Sequence, residues 1–495
     1  MTHNPLQKPR CNCAASPTCT HNTMMSRARA LVRGDSNVDS RLPSNSTGID
    51  SLVRSTRDEN VSIQKESSLV SGSVLKSLTA NQRSVLLGLR EHLLMVAPRT
   101  ASTAGSTRQS ETYTLSGNQE WSFWFDLEQM RKNIHAEFAK RAPGAFYAFV
   151  INGHDGGVSS GSQGWARVNE ITMGIEQPKM LASVGKVITG AAVMHAIGAS
   201  GGSITVKDPI WPFFTKHWKV FDSFKPITFQ NCFHYAAGIL DYSNPGGQDT
   251  SLESIQSWYT TGEWASKKII KEEIGKNRFY NNVCIAWFRI ALFYMTADPS
   301  YIKQVEDIYP TNQALWNYIV CLWYRDYIRW YIFDDETVAD TSPFGLTGSG
   351  SQMLYYPYPC PDPCVGHVAS NWFYHAGGAG WCLSTSDLAR FWRRLATGEL
   401  LGWQAKAKFL PWASKNNTYV MDAYGTFEIQ FDNYPLGQPG AYFAKGGAVA
   451  DNKDYVFAFN LGATVAIVAN CNVKSSELSG ICVDSYKRAW KASVK

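Results

Sequence analysis

The feature that most constrains this chain is where its strand signals fall. One apolar stretch, residues 145–152, lies early, and four more lie far downstream, at 426–431, 441–445, 455–460 and 464–469. The residues between, from Ser183 to about Leu395, read as helix and loop. A helical pattern over 121–142 stops at Pro143-Gly144 ahead of the first strand, and another over about 477–491 closes the chain. Strands at both ends with helices between call for one sheet built from both ends of a domain, an α+β fold.

Length and composition agree with a large globular unit. The 495 residues are 44% hydrophobic and include 17 Trp, 23 Tyr and 24 Phe. The texture before residue 116 is different: rich in Ser, Thr, Asn and Arg, with one short helical pattern at 82–95. Residues 1–115 are therefore expected to form a low-complexity, disordered extension, and 116–495 the folded domain. The net charge of +6 sits mostly in that extension, since residues 1–120 hold 14 Lys and Arg against 9 Asp and Glu. The remainder is close to neutral and has no basic stripe for phosphates, so nucleic acid is not an expected partner.

The best membrane-span candidates, 283–295 and 318–333, are too short or carry Arg289, Arg325, Asp326 and Arg329. No transmembrane segment is expected. No apolar leader is seen near the start, which leaves the compartment open with the cytoplasm ahead. Eleven cysteines form no repeating framework; Cys360 with Cys364, and Cys471 with Cys482, are the pairs that oxidation would join. Cys11, Cys13, Cys19 and His21, like Cys360, Cys364 and His367, lack the spacing of a standard zinc site. No dinucleotide, phosphate-loop or zincin motif is present, so neither metal nor cofactor is expected.

Chemistry enters at MLASVGKVITGAAVMHAI, residues 180–197, which contains Ser183-x-x-Lys186. A helix starting near Ser183 puts Lys186 one turn on, on the same face. The positive end of that helix would favour an alkoxide on Ser183, and a buried lysine of lowered pKa would help remove the hydroxyl proton. The same spacing recurs at Ser62–Lys65, Ser73–Lys76 and Ser300–Lys303, but only Ser183 opens a long apolar helix of small residues.

Two further motifs follow in order. Tyr280-Asn281-Asn282 precedes an apolar helical run, and Lys445-Gly446-Gly447 lies on a late strand. Ser-x-x-Lys, Tyr-x-Asn and Lys-x-Gly together resemble the motif set of class C β-lactamases, related esterases and D-amino-acid-specific peptidases. HYAAGILDY at 234–242, Ala376-Gly377-Gly378 and LSTSDLAR at 383–390 match further landmarks of that group, so the resemblance spans about 122–491. It implies a β-lactamase/transpeptidase-like fold, an antiparallel sheet flanked by helices plus a helical lobe, with a cleft between.

It also implies roles. Ser183 would attack an acyl carbon, Lys186 and Tyr280 would exchange its proton, and Lys445 would supply positive charge near the Tyr280 phenol or a substrate carboxylate. Asn282 would orient Lys186 and hold a substrate amide. Gly447 would let the strand approach the substrate, and the N–H groups of Ser183 and Ala448 would form the oxyanion hole. The sequence departs from the pattern at Gly446, where a hydroxyl is usual, and at Ala236 and Ala237 after His234, itself read as a packing histidine. Tyr242-Ser243-Asn244 is a competing Tyr-x-Asn. The expected activity is ester hydrolysis or acyl transfer on a small-molecule acyl substrate through an acyl-serine. Two rivals stand beside it: β-lactam or D-amino-acid peptide hydrolysis, and a non-catalytic scaffold of the same fold. Oligomeric state has no signature in the sequence.

Overall fold

A computed structural model of the chain describes residues 78–94, 121–243, 246–334, 339–340, 353–369, 371–402, 428–433, 439–449, 451–459 and 463–494. All of them fall within the unit Ser73–Lys495. In chain order the principal elements are α1 (Ala80–Leu94), β1 (Trp121–Phe125), α2 (Leu127–Arg141), β2 (Tyr147–Gly153), β3 (Val158–Gln163), α3 (Gly185–Ala199), α4 (Val283–Thr296), α5 (Pro299–Glu306), α6 (Gln313–Ile328), α7 (Thr385–Thr397), β4 (Glu428–Asn433), β5 (Pro439–Val449), β6 (Asn452–Phe459), β7 (Ala463–Ala469), α8 (Ser475–Lys487) and β8 (Trp490–Val494).

Six strands form one antiparallel sheet in the order β4-β5-β6-β7-β2-β3, so the early strand β2 pairs with the late strand β7. Strands β2, β6 and β7 are buried along their whole length. Alternation therefore separates large from small residues rather than apolar from polar. Phe149 and Ile151 of β2, Tyr455, Phe457 and Phe459 of β6, and Val465 and Ile467 of β7 share a core with Met130, Ile134 and Phe138 of α2 and Leu478, Ile481 and Tyr486 of α8. Each such side chain taken fully out of water contributes about 1.5–3 kcal/mol. The opposite face carries smaller residues and is covered by α7, where the Asn152 amide donates to Ala389 O at 3.3 Å.

The expected helix over 121–142 is in fact a strand followed by a helix. Trp121–Phe125 pairs with Trp490–Val494 as a two-stranded ribbon, and Asp126 then caps α2 by accepting from Gln129 N at 2.8 Å. The closing helix accordingly ends at Lys487, not 491, and leaves its last residues to β8. Strand β3, VSSGSQ, has no apolar periodicity and was not anticipated; it pairs along β2 at the sheet edge. Cys360 and Cys364 are joined as a disulfide, whereas Cys471 and Cys482 are separate buried thiols within the apolar core. The Cys11, Cys13, Cys19 and His21 set lies outside the described residues. No helix among the described residues is long and apolar enough to cross a membrane.

The helices between Ser183 and Leu395 make the second lobe. Eleven of the 15 residues of α3 are buried, which its Gly and Ala content permits by allowing close approach of α4 and α6. Helix α1 packs on this lobe: Val85 and Leu89 are buried, and Tyr301 and Tyr331 donate to Val85 O at 3.0 Å and Leu93 O at 2.7 Å.

Candidate active site

Ser183 sits in the turn that enters α3, between a short strand, Lys179–Met180, and the helix. The entry to this turn is fixed by backbone. Leu181 N donates to Trp381 O at 2.6 Å, and Gly380 N returns to Leu181 O at 3.0 Å. Helical spacing then brings Lys186 back over the serine: its Nζ is 2.8 Å from Ser183 Oγ and also donates to Gly378 O. Lys186 is fully buried, and burial holds its ammonium well below the ordinary lysine value; Lys445 pushes the same way and Asp454 opposes.

Tyr280 arrives from the loop ahead of α4, and its hydroxyl donates to Ser183 Oγ at 2.6 Å. The Lys186 and Lys445 nitrogens lie 5.0 and 4.7 Å from the centroid of its ring, within cation–π range. Lys445, on β5, is buried. Two residues on, Gly447 faces the nucleophile: a Cβ there would lie 2.7 Å from Ser183 N and would strike the Asp454 carboxylate. The absence of a side chain thus lets β5 come against the serine backbone. Ala448 is the exposed residue that follows. Gly446 points the other way, where its cross-strand partner Tyr455 fills the space a side chain would need. That explains why this motif lacks its usual middle side chain.

Ser183, Lys186, Tyr280, Lys445 and Gly447 are therefore brought together. Asn282 is placed differently from expectation. Its amide donates to Gln248 Oε1, and no bond to Lys186 forms; the partner on Lys186 is the carbonyl of Gly378. The reason is local packing. Gly247 O accepts from both Asn282 N and Val283 N, at 2.8 and 3.1 Å, which draws the 247–248 loop over the α4 entrance. The segment that leads to Gly378 is held in turn by the buried Arg289 of α4, whose guanidinium donates to Ala376 O at 2.7 Å and Thr250 O at 3.0 Å. Tyr242, the competing tyrosine, is 55% exposed on the loop and touches Tyr280 only ring to ring, at 5.6 Å. Ser300 of the alternative Ser-x-x-Lys hydrogen-bonds Asp298 at the cap of α5, away from this cluster.

Sequence reasoning missed Gln248, Gly378 O and Asp454. A backbone carbonyl has no sequence signature, and a lone Gln or Asp has no distinguishing neighbour pattern.

Neither a protein-family model nor a curated protein sequence matches the chain. Solved structures do. A D-amino acid amidase from Ochrobactrum anthropi SV3 superposes with a TM-score of 0.54 at 11% identity, covering 73% of this chain and 98% of its own. A class C β-lactamase from Rhodobacter sphaeroides gives 0.51 at 12%, covering 72% and 98%. An octameric penicillin-binding protein homologue from Pyrococcus abyssi gives 0.50 at 16%, covering 71% and 75%. The chain has the fold of the serine β-lactamase and penicillin-binding-protein group, an α+β sheet flanked by helices with a helical lobe. At these identities the likeness establishes the fold alone.

Proposed function

We propose that the protein is a serine hydrolase working through an acyl-serine, with ester hydrolysis or acyl transfer as its activity. The observation that carries this reading is the position of Ser183 Oγ, 2.8 Å from a buried lysine nitrogen and 2.6 Å from a tyrosine hydroxyl. A serine hydroxyl needs a base within hydrogen-bond reach to become a nucleophile at neutral pH.

In this mechanism Ser183 Oγ bonds to the acyl carbon while its proton passes to Lys186 or Tyr280. Negative charge on the former carbonyl oxygen is met by the N–H groups of Ser183 and Ala448. The C–O bond to the leaving alcohol breaks as the alcohol takes the proton. Water, deprotonated by the same pair, then cleaves the acyl-serine, so ester and water give acid and alcohol. Lys445 stabilises negative charge on the phenol oxygen of Tyr280 or on a substrate carboxylate.

Gln248 engages the Asn282 amide nitrogen and leaves that side chain only its Oδ1 for a substrate amide, and on this ground we favour an ester over an amide or β-lactam. We assign the hydrolase unit to residues 116–495, braced by α1. The test is hydrolysis of a short-chain chromogenic ester by the full chain, wild type against Ser183→Ala. Turnover that disappears in the folded variant supports the reading. Equal rates in both overturn the nucleophile and return the scaffold alternative. Turnover of a D-amino-acid amide or a β-lactam in place of the ester would keep the nucleophile and replace the substrate class.

A further inference from the structure

Beneath the nucleophile lies a buried ion pair that the mechanism above does not use. Asp454 on β6 is fully buried, and Lys179, just ahead of the Ser183 turn, is 1% exposed. Their charged atoms are 4.0 Å apart. Lys179 Nζ also donates to Lys453 O at 2.5 Å and Ala469 O at 3.3 Å, which anchors it to the ends of β6 and β7. Asp454 Oδ2 accepts the backbone N–H of Ala182 at 2.7 Å. The neighbouring Asn452 amide holds Met180 O at 2.5 Å. The start of β6 therefore grips the segment leading into Ser183 at successive points.

Register explains how Asp454 reaches the turn. Its cross-strand partner is Gly447, and the missing Cβ there leaves the space through which the carboxylate passes. The same missing Cβ leaves the backbone of Gly447 beside Ser183 N. One carboxylate thus fixes the residue before Ser183 and faces the backbone N–H of Val184 after it, while among the described residues the Ser183 N–H finds no acceptor. That free N–H is the donor an oxyanion requires.

Burying a carboxylate with one counter-ion is costly, and Asp454 Oδ1 has no hydrogen-bond partner in addition. An apolar pair of the same size would hold sheet to turn at less cost. Retention of the charge asks for a reason other than adhesion, and the hydrogen bond at Ala182 supplies one.

We propose that Asp454, held in place by Lys179, is a positioning residue that clamps the Ala182–Ser183 backbone so that the Ser183 N–H is aligned as an oxyanion donor. This rests on the serine-hydrolase reading. It acts through the backbone, so it bears on the chemical step and not on substrate affinity.

Two double variants of the full chain isolate the clamp, because both remove the charges and differ only in the acceptor offered to Ala182 N. Lys179→Met/Asp454→Asn keeps a carbonyl oxygen at that point; Lys179→Met/Asp454→Leu keeps the volume without one. The readouts are the rate of Ser183 labelling by a fluorophosphonate, ester kcat and KM, and the thermal melt. The asparagine pair is expected to stay within about fivefold of wild type. The leucine pair should melt as a folded protein, lose about 10²-fold in labelling and kcat, the scale of one oxyanion donor, and keep KM within about threefold. Equal activity in the two pairs, whether high or low, overturns the clamp. If the leucine pair does not fold, Lys179→Met/Asp454→Val makes the same comparison with a residue suited to a strand. Failure of wild type itself to label or turn over, with Ser183→Ala as control, would sink the hydrolase reading instead, and the two failures are distinguishable on that basis.

Discussion

The helical lobe and the sheet both reach Ser183, and they differ in the charge that is buried with their apolar cores. Between the sheet and α2 and α8 the core is hydrocarbon, ending in Phe459 stacked on Tyr486 with centroids 3.7 Å apart. The lobe has an apolar core of its own, with Trp287, Phe293, Trp316 and Trp323 fully buried, and is stitched in addition by buried charge. Arg289 holds Ala376 O and Thr250 O, Glu306 takes Thr215 Oγ1 at 3.0 Å and Lys216 N at 3.1 Å, and Arg329 reaches Asp340 at 2.5 Å. On the sheet side buried charge gathers mainly where the strands meet the nucleophile, in Lys179, Lys445, Lys453 and Asp454, with Glu137 of α2 paired to Arg141 and Arg488 at the outer edge. Hydrocarbon fixes a layer loosely in position, whereas a hydrogen bond fixes a particular atom. The difference teaches that polar burial in this molecule follows the backbone segments that must be placed accurately.

The sharpest way to break the comparison is at the point where the regions meet. Ser183→Ala is expected to cut ester turnover at least 10⁴-fold while the thermal midpoint stays within about 1 °C of wild type. A large stability change with it would mean that the serine holds the lobes together. On the sheet side, Gly447→Ala places a Cβ 2.7 Å from Ser183 N and against Asp454. It should lower kcat about 10²-fold through the displaced oxyanion donor. Unaltered kcat in the folded variant would show that β5 contributes nothing to the chemistry.

Next in size is a pair of core lesions. Arg289→Leu strands two buried carbonyls and should cost about 3 kcal/mol in denaturant unfolding. It should also lower kcat in the folded fraction, because Ala376 lies two residues from the carbonyl that holds Lys186. Ile467→Val, on the hydrocarbon face, should cost about 1 kcal/mol and leave kcat unchanged. If the isoleucine change also slows turnover, the distinction between the two kinds of core has no functional meaning.

The same difference decides what could be read in advance. Periodicity revealed the sheet because its strands are held by apolar packing, and short motifs pointed to Ser183, Lys186, Tyr280 and Lys445, of which only the Ser183–Lys186 interval is set by helical pitch. The ribbon of β1 and β8 escaped because WSFWF has no polar alternation and runs straight into a helical pattern. The partners of Asn282 and Lys186 escaped because they are set by loop packing and by a backbone carbonyl. Asp454 in NKDYVF reads as a solvent-facing strand charge, and only the register opposite Gly447 turns it inward.

The smallest expected effect concerns the sign of the field at Lys186. For this lysine to act as a base it must be neutral, so the acid limb of kcat/KM follows its deprotonation. Burial is the main cause of its lowered pKa, Lys445 adds to the lowering, and Asp454 opposes it. Removing a cation that depresses a lysine raises its pKa, so Lys445→Met should move the acid limb to higher pH. Removing an anion that supports the ammonium lowers the pKa, so Asp454→Asn should move the limb to lower pH. The groups that act on Lys186 in this way come from adjacent strands of the sheet, and Tyr280 is the other titratable group touching Ser183. The measurement is the pH profile of fluorophosphonate labelling and of ester kcat/KM for wild type and the two variants, read for the limb and not for the plateau. Shifts in opposite directions would tie the limb to Lys186 and to the sheet's charges. A limb that moves to higher pH with Lys445→Met but ignores Asp454→Asn would assign it to Tyr280, whose phenolate Lys445 also supports, and proton removal from Ser183 would then belong to the tyrosine.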